Sequence, residues 1–532
     1  MKRNIFIGGA WPYANNSLHA GHLAGLMAGD VLARYYRLNG DNVCYVSGTD
    51  CHGTPITERA HEEKVNPREI SNKYHAEFTQ TFKDLAFSYD LYTKTDDEFH
   101  ETEVKRIFKK IYDRGFIYEK TEPQPYCEQC EKFLADRELS IICPSCQTEV
   151  KLDEDSCSKC SYIFTLKDIE NAKCHICGKQ SVLKNNKNLY LAMSKFQSEI
   201  TEFVNARKAN WRVNAQNETG KFLKQGLIDR AATRDLDWGV EVPVAGYEKK
   251  RIYVWIEAVL GYLTACKKIC AEKGIDWHDF WRKNDANIIS YYVHGKDNIP
   301  FHSIIFPVIL MATGEEYHLP DYIVSSEFMT FNSVKMSKSL GNGILAKNIV
   351  KDFGTDSFRY YLVKNGPEKK DTDFSMEDFK ATHNNEINNK LGNFVNRTLK
   401  FKGITELPNG TMNLDVKSEI EKAYKEIAVL IEHLDLREAA TRAMALVDYA
   451  NRFYDEQKPW IQAKEDINAF NDTIFTCATI VANLGVIFDP FMPIATAKIR
   501  EYLNITKPKW EFTEIRSRID LIKVMPLFTK IQ

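Results

Sequence analysis

Three groups of residues in this sequence have types and spacings that could do chemistry. His19-Ala20-Gly21-His22 places two imidazoles three apart, which share a helix face and can donate hydrogen bonds to phosphate oxygens. Gly21 between them leaves room for a flat base or phosphate to approach the backbone. Lys335-Met336-Ser337-Lys338-Ser339, followed by Gly341-Asn342-Gly343, suits a clamp on a polyphosphate whose charge shifts during reaction. Eight of the 13 cysteines form four Cys-x-x-Cys pairs: Cys127/Cys130, Cys143/Cys146, Cys157/Cys160 and Cys174/Cys177. Each pair offers two thiolates on one edge of a tetrahedron, so the four pairs predict two closed, structural four-thiolate zinc sites. Spacing alone leaves open which pairs share an ion. The other five cysteines (Cys44, Cys51, Cys266, Cys270 and Cys477) are scattered.

The elements around these residues read as an alternation of strand and helix. Residues 4–10 predict a buried strand ending in a glycine turn, and Pro12 breaks it. A helix is expected from Leu18 to Leu38, stopped by Asn39-Gly40, then an apolar run Val43–Val46 that ends at Ser47-Gly48-Thr49-Asp50. Strand, helix, strand in this order predicts a βαβ unit and a parallel sheet. The His pair then falls at the first strand-to-helix corner, where a doubly wound sheet binds ligands and a helix N-terminus attracts phosphate. Helical stretches over 67–86 and 97–114 continue the alternation. A turn-rich, Cys- and Lys-rich segment from Thr121 to Lys187 interrupts it, and Tyr253–Ile256 and Ile288–His294 resume it. Past Met376 the pattern is helical: Asp378–Phe401, Lys417–Glu432, Arg437–Asp455 and Asp472–Phe488.

Composition bounds the class. The 532 residues carry 71 Lys+Arg and 73 Asp+Glu, a net charge of −2, with 44% hydrophobic and 27% charged residues. That is an ordinary globular composition, which excludes disordered, collagen-like and mini-protein classes and a uniformly basic nucleic-acid coat. No window of about 18 uncharged apolar residues occurs, and the N-terminus turns to Pro and Asn before a signal sequence forms. A cytoplasmic protein with no membrane partner is expected.

The His-x-Gly-His corner with the later Lys-Met-Ser-Lys-Ser loop resembles the paired signatures of class I aminoacyl-tRNA synthetases. Ala10-Trp11-Pro12-Tyr13-Ala14-Asn15, the four Cys pairs and Gly295-Lys296-Asp297-Asn298-Ile299-Pro300-Phe301-His302 narrow the resemblance to the methionyl-tRNA synthetase family. It runs from residue 4 to about residue 500. Two positions depart from the pattern: Ala20 where the class usually has Ile or Leu, and Trp11 where many methionine enzymes have Leu. Neither removes a hydrogen-bonding group, so altered packing is expected, with the same reaction.

The resemblance implies activation of L-methionine with ATP–Mg²⁺ to methionyl-adenylate and pyrophosphate, then transfer to the 3′ end of tRNA(Met). It assigns ATP to His19, Gly21, His22, Gly295, Asp297, Lys335 and Lys338, of which His19, His22, Lys335 and Lys338 are catalytic. Methionine falls to Ala10, Trp11, Tyr13, Asp50, Trp255, Ala258, Tyr262, Phe301 and His302, with Asp50 on the α-ammonium. Arg234 resembles a position near the reactive end. Asn393, Arg397 and Trp460, the last expected at the end of a helix, match residues that read the CAU anticodon. Resemblance to one-zinc relatives favours a nested pairing, with Cys143, Cys146, Cys157 and Cys160 on one Zn²⁺ and the outer four cysteines on another. A sequential scheme, Cys127–Cys146 then Cys157–Cys177, is the alternative.

The implied fold is α/β: a Rossmann-like doubly wound parallel sheet with a zinc-binding insertion, followed by an all-α helical bundle that binds the anticodon. The expected division is a first catalytic half over 1–118, a connective insertion over 119–230 and a second catalytic half over 231–325. A stem-contact region with the lysine loop spans 326–377, and the anticodon-binding domain and tail span 378–532. A monomer is expected. Two other classes weigh less. A small-molecule nucleotidyltransferase has no use for the lysine loop, zinc module and helical domain. A non-catalytic zinc-knuckle protein has no use for a Trp- and Tyr-rich pocket beside His19. The gap between the sheet halves is too short for an editing domain, and the clustering of the Cys pairs argues against a cysteine enzyme.

Overall fold

The computed structural model describes residues 2–134, 138–151, 164, 166–169, 172–331, 334–335 and 345–532. Its main sheet has five parallel strands in the order Tyr322–Ser326, Ile288–Gly295, Asn4–Gly9, Asn42–Thr49, Leu91–Lys94. Asn4–Gly9 lies at the centre, with Ile7 level with Tyr45 on one side and Tyr291 on the other. Winding outward from this strand in both directions leaves a crevice at its C-terminal end. After Asn4 the strand is apolar, because helices cover both faces of the sheet. Ile5, Ile7 and Tyr45 join one core with the helix Ala20–Leu38, whereas Phe6, Cys44 and Val46 join a second with the helices Glu98–Asp113 and Gly261–Lys273.

The Tyr253–Ile256 run, expected to resume the strand alternation, is instead the start of a short helix, Val254–Ala258. A four-residue apolar run does not separate a strand from a buried helix. The helical form sets Trp255 and Ala258 three apart on one face and buries Glu257.

The insertion hangs on a long antiparallel ribbon, Ile117–Cys127 against Val182–Leu191, in register from Ile117↔Leu191 to Tyr126↔Val182. At its far end Cys127, Cys143, Cys174, Leu139 and Ile141 form a small separate core.

Past Ser375, which caps the helix Met376–Thr382, the expected helix to Phe401 passes through wider π-type turns over His383–Gly392 before Asn393–Leu399. The bundle adds Leu414–Glu432, Leu436–Gln457 and Ile467–Ile487, with two further helices, Pro459–Glu465 and Pro493–Tyr502, that the sequence reading passed over. Both open on proline, which is preorganised for a first helical position. Trp460 therefore stands at the beginning of a helix and not at the end of one. Ile467–Ile487, broken in charge only by Asp472, is long and apolar enough to cross a membrane, yet 83% of its apolar window is buried inside the bundle.

The bundle is docked on the sheet through Ala20–Leu38. Fully buried Arg359 pairs with Asp30 at 2.6 Å and donates to the carbonyls of Leu85 and Pro490, both at 3.0 Å. Tyr35 donates to Glu432 at 2.9 Å, and the Trp510 amide donates to the Leu38 carbonyl at 2.9 Å.

Candidate active site

The C-terminal ends of the three central strands bring Gly9-Ala10, Thr49-Asp50 and Gly295 to one edge. The Ala10 amide donates to the Val293 carbonyl at 2.8 Å, and Ser47 Oγ donates to the Ala10 carbonyl at 3.1 Å. His19 caps the following helix: its extended backbone donates to His22 Nδ1 at 3.2 Å, and the two rings lie 3.7 Å apart. A Cβ on Gly21 would stand 3.1 Å from the His19 ring and 3.3 Å from the Met329 carbonyl oxygen, so glycine is what lets these segments meet.

The Met329–Phe331 strand that abuts Gly21 pairs antiparallel with Val334–Lys335, Thr330 opposite Lys335. Further along the chain, Leu345 bridges to His19, and the Ala346 amide donates to the Leu18 carbonyl at 3.2 Å. Both ends of the lysine loop are thus tied to the His corner, although that corner and the loop are far apart in sequence. Lys338 lies outside the described residues.

Beside this corner is an aromatic cluster. Trp255 stacks on Phe301 at 4.0 Å and 13°, and Tyr13 meets the Trp255 edge at 5.7 Å. His302 Nδ1 donates to the Asn298 carbonyl at 2.8 Å, which leaves Nε2 to accept from the Tyr262 hydroxyl, also at 2.8 Å. Burial holds His302 neutral, pulling its pKa down to about 4. Ala258 is buried nearby, Gly295 ends its strand, and Asp297 lies in the turn Lys296–Asn298. Lys296 in that turn is anchored by Glu327 at 2.7 Å and Asp371 at 2.8 Å.

Trp11 fills a slot that other residues have cleared. A Cβ on Gly48 would fall 2.4 Å from its ring, and one on Gly261 would fall 2.5 Å from it. The departure at Trp11 is therefore absorbed by two glycines, one on a sheet strand and one at the start of a helix.

Asp50 is buried, 2% exposed. Its amide donates to the Pro12 carbonyl at 3.0 Å, and its own carbonyl accepts from the Ala14 amide at 2.9 Å, so the Ala10–Asn15 turn and the carboxylate are fixed together. Oδ1 accepts from the His52 amide at 3.2 Å. Among the described residues no Lys or Arg forms an ion pair with it. Burial, and then the charge of Glu257, push its pKa well above the usual carboxylate range.

The sequence reading missed three residues around this carboxylate. Glu257 bonds His52 Nδ1 at 2.8 Å through one oxygen and His100 Nε2 at 3.1 Å through the other; His100 Nδ1 reaches Thr264 Oγ1 at 2.8 Å. Against its burial, His52 and the hydrogen bond from His100 hold Glu257 below its ordinary pKa, and Glu257 in turn raises His52. A Glu inside an apolar helix run, Trp255-Ile256-Glu257-Ala258, was the available signal. Arg234 packs over the Tyr253 ring at 4.1 Å and donates to the Thr233 carbonyl at 3.1 Å, at the base of the ribbon.

In the bundle, Arg397 is held by Asp455 at 2.7 Å and Asn451 at 2.9 Å, over the Tyr454 ring at 4.1 Å. Tyr454 lies 6.1 Å from Trp460, which is 45% exposed, and Asn393 is exposed one turn before Arg397. At the tip of the ribbon the thiols of Cys127, Cys130, Cys174 and Cys177 all lie within 4.8 Å of one another, Cys127 to Cys177 at 3.4 Å and Cys130 to Cys174 at 3.9 Å. This is the outer group of the nested scheme and not a group of the sequential one. Cys143 and Cys146 lie in a neighbouring turn, and Cys157 and Cys160 lie outside the described residues.

Comparison with known proteins gives the family of the chain. Residues 5–399 match the family described as tRNA synthetases class I (M), and residues 407–529 match the anticodon binding domain of methionyl tRNA ligase. The chain is 44% identical to Methionine--tRNA ligase 1 of Alkaliphilus oremlandii and 45% identical to Methionine--tRNA ligase of Bacillus cereus (strain B4264), in each case over 99% of this chain and 97% of the relative. The fold is that of a Mycobacterium tuberculosis methionyl-tRNA synthetase solved in complex with methionyl-adenylate, with a TM-score of 0.80 at 22% identity over 99% of this chain and 100% of that one. The chain belongs to the methionyl-tRNA synthetase family of class I aminoacyl-tRNA synthetases.

Proposed function

We propose that this member of the family joins L-methionine to tRNA(Met) in the cytoplasm, and that the residues gathered at the strand ends do so by positioning and electrostatics. The observation that carries the reading is Asp50: a buried carboxylate with no Lys or Arg paired to it among the described residues, beside an aromatic slot and the His corner. An α-ammonium is the group such a carboxylate is suited to receive, since it supplies the missing charge partner in a site already desolvated. Methionine's thioether is soft and polarizable, and the Tyr13, Trp255, Phe301 and Tyr262 rings offer sulfur–aromatic contacts. The Tyr262–His302 hydrogen bond keeps the polar ends of this slot satisfied, which favours an uncharged side chain.

ATP would lie with its phosphates on His19, His22 and the backbone freed by Gly21, its adenosine beside Gly295 and Asp297, and Mg²⁺ bound with it. The methionine carboxylate itself attacks the α-phosphate, so no protein nucleophile is needed. Lys335 and Lys338 would neutralise charge as pyrophosphate departs, a transition-state contact worth about 3–4 kcal/mol. Arg397, with Trp460 and Asn393, would read single-stranded bases by stacking and edge hydrogen bonds.

The outer four cysteines fit a zinc ion. A zinc–sulfur distance of about 2.3 Å sets tetrahedral edges of about 3.8 Å, close to the 3.4 and 3.9 Å between these thiols. Zinc there would fold the ribbon tip and take no part in the reaction. Cys143, Cys146, Cys157 and Cys160 would hold a second ion.

The test is ATP–pyrophosphate exchange with each standard amino acid in parallel, followed by charging of tRNA(Met). Exchange with methionine alone supports the reading. Exchange with a different amino acid, or none from zinc-replete folded protein, overturns it.

A further inference from the structure

Away from the ribbon and the pocket, three of the scattered cysteines converge. Cys44 on the strand Asn42–Thr49 and Cys266 and Cys270, one turn apart on the helix Gly261–Lys273, have thiols all within 4.8 Å of one another. Cys44 lies 3.6 Å from Cys266, and Cys266 lies 3.9 Å from Cys270. All three are buried, at 3%, 0% and 2% exposure. A second observation is a buried hydrogen-bond donor beside the trio. The indole N–H of Trp281, which adjoins Cys266, is buried and has no hydrogen-bond partner among the described residues.

We propose that Cys44, Cys266 and Cys270 form a trigonal binding site for a soft monovalent metal ion, of which copper(I) is the type. The geometry sets the coordination number. A metal–sulfur distance of about 2.3 Å gives a trigonal edge of about 4.0 Å, and the two measured edges are 3.6 and 3.9 Å. A structural zinc ion takes four ligands, and among the described residues this group has three members. Soft thiolates with low coordination select copper(I). The ion displaces the thiol protons to solvent, no electron is transferred, and the Trp281 N–H becomes a donor to sulfur. Filling the site ties the strand that leads into Asp50 to the helix whose first turn carries Tyr262.

The test offers one equivalent of copper(I), supplied as a weak chelate, to zinc-loaded protein and reads copper, zinc and thermal midpoint together. The trio has only protons to lose, whereas copper entering the ribbon cysteines has to displace zinc. One copper per chain, with zinc content unchanged and the midpoint raised, is expected for the wild type. Cys44→Ala and Cys270→Ala should each lose the uptake yet keep methionine-dependent exchange within twofold. Using two variants on different elements guards against one that fails to fold. Uptake in both variants equal to that of the wild type, copper gained only as zinc is lost, or no uptake by the wild type overturns the assignment. None of these outcomes bears on methionine activation, which the exchange assay reads separately.

Discussion

Replacing Asp50 by Asn removes one charge and almost no volume from the centre of the proposed methionine site. In the free protein this carboxylate is already disfavoured by burial and by Glu257, so the ammonium is not asked to strip water from it. Breaking a buried charge pair by removing one partner costs about 3–5 kcal/mol. At 1.4 kcal/mol per tenfold, kcat/KM for methionine in exchange should fall roughly 10²- to 10³-fold or more. Folding should respond in the opposite sense. A carboxyl whose folded pKa is raised stabilises the fold while protonated and loses that contribution as pH rises through the raised value. Asp50→Asn should therefore have a higher thermal midpoint than the wild type at neutral pH, and the gap should close as pH falls. The decisive comparison uses methionine and its desamino analogue as competitors of exchange. The wild type should favour methionine strongly, and Asp50→Asn should nearly abolish the difference. If the variant still discriminates as the wild type does, or exchanges methionine within threefold of it, Asp50 does not hold the ammonium.

Four further outcomes follow from the same geometry. Gly261→Ala should be destabilising, because its new methyl meets the Trp11 ring at 2.5 Å, and Trp11→Leu should relieve that clash. Thermal melts of the single and double variants should therefore couple favourably, and strict additivity would show that Trp11 is not what holds position 261 to glycine. Between pH 6.5 and about 4 the unfolded chain protonates His302 while the folded chain keeps it neutral. Stability should thus fall as pH drops through that window, by up to about 3 kcal/mol, and the slope should flatten in His302→Gln; an unchanged slope would contradict the neutral assignment. Lys338→Ala should slow exchange 10²–10³-fold with an unchanged melt, whereas exchange within threefold would remove the lysine from the phosphate clamp. Trp460→Ala should weaken tRNA charging by about 1–3 kcal/mol in kcat/KM and spare exchange, and an equal loss in both assays would mark it as structural.

The central architecture was legible in the sequence because its causes are local. Apolar runs ending in Gly9 and Thr49, a helix between them stopped at Asn39-Gly40, and Cys-x-x-Cys turns each report a short-range constraint that holds in any tertiary setting. The resemblance then supplied roles for residues whose bare pattern carries little, such as Asn393 and Arg397. Tertiary structure decided what depends on neighbours distant in the chain. Tyr253–Ile256 became helix because burial on two sides suits either form, and packing chose the one that turns Trp255 onto Phe301. Cys127 and Cys130 met Cys174 and Cys177 because the two ribbon strands run antiparallel and bring their ends together, which spacing cannot reveal. The exchange of Leu for Trp11 was visible in one dimension, but the space for it is made at Gly48 and Gly261, on different elements. Glu257, His52 and His100 form one buried network only after three separate segments are stacked, so no motif announced them. Motifs record constraints between close neighbours in sequence; charge partners, clearances and shared ligands are set by where the sheet ends bring the chain.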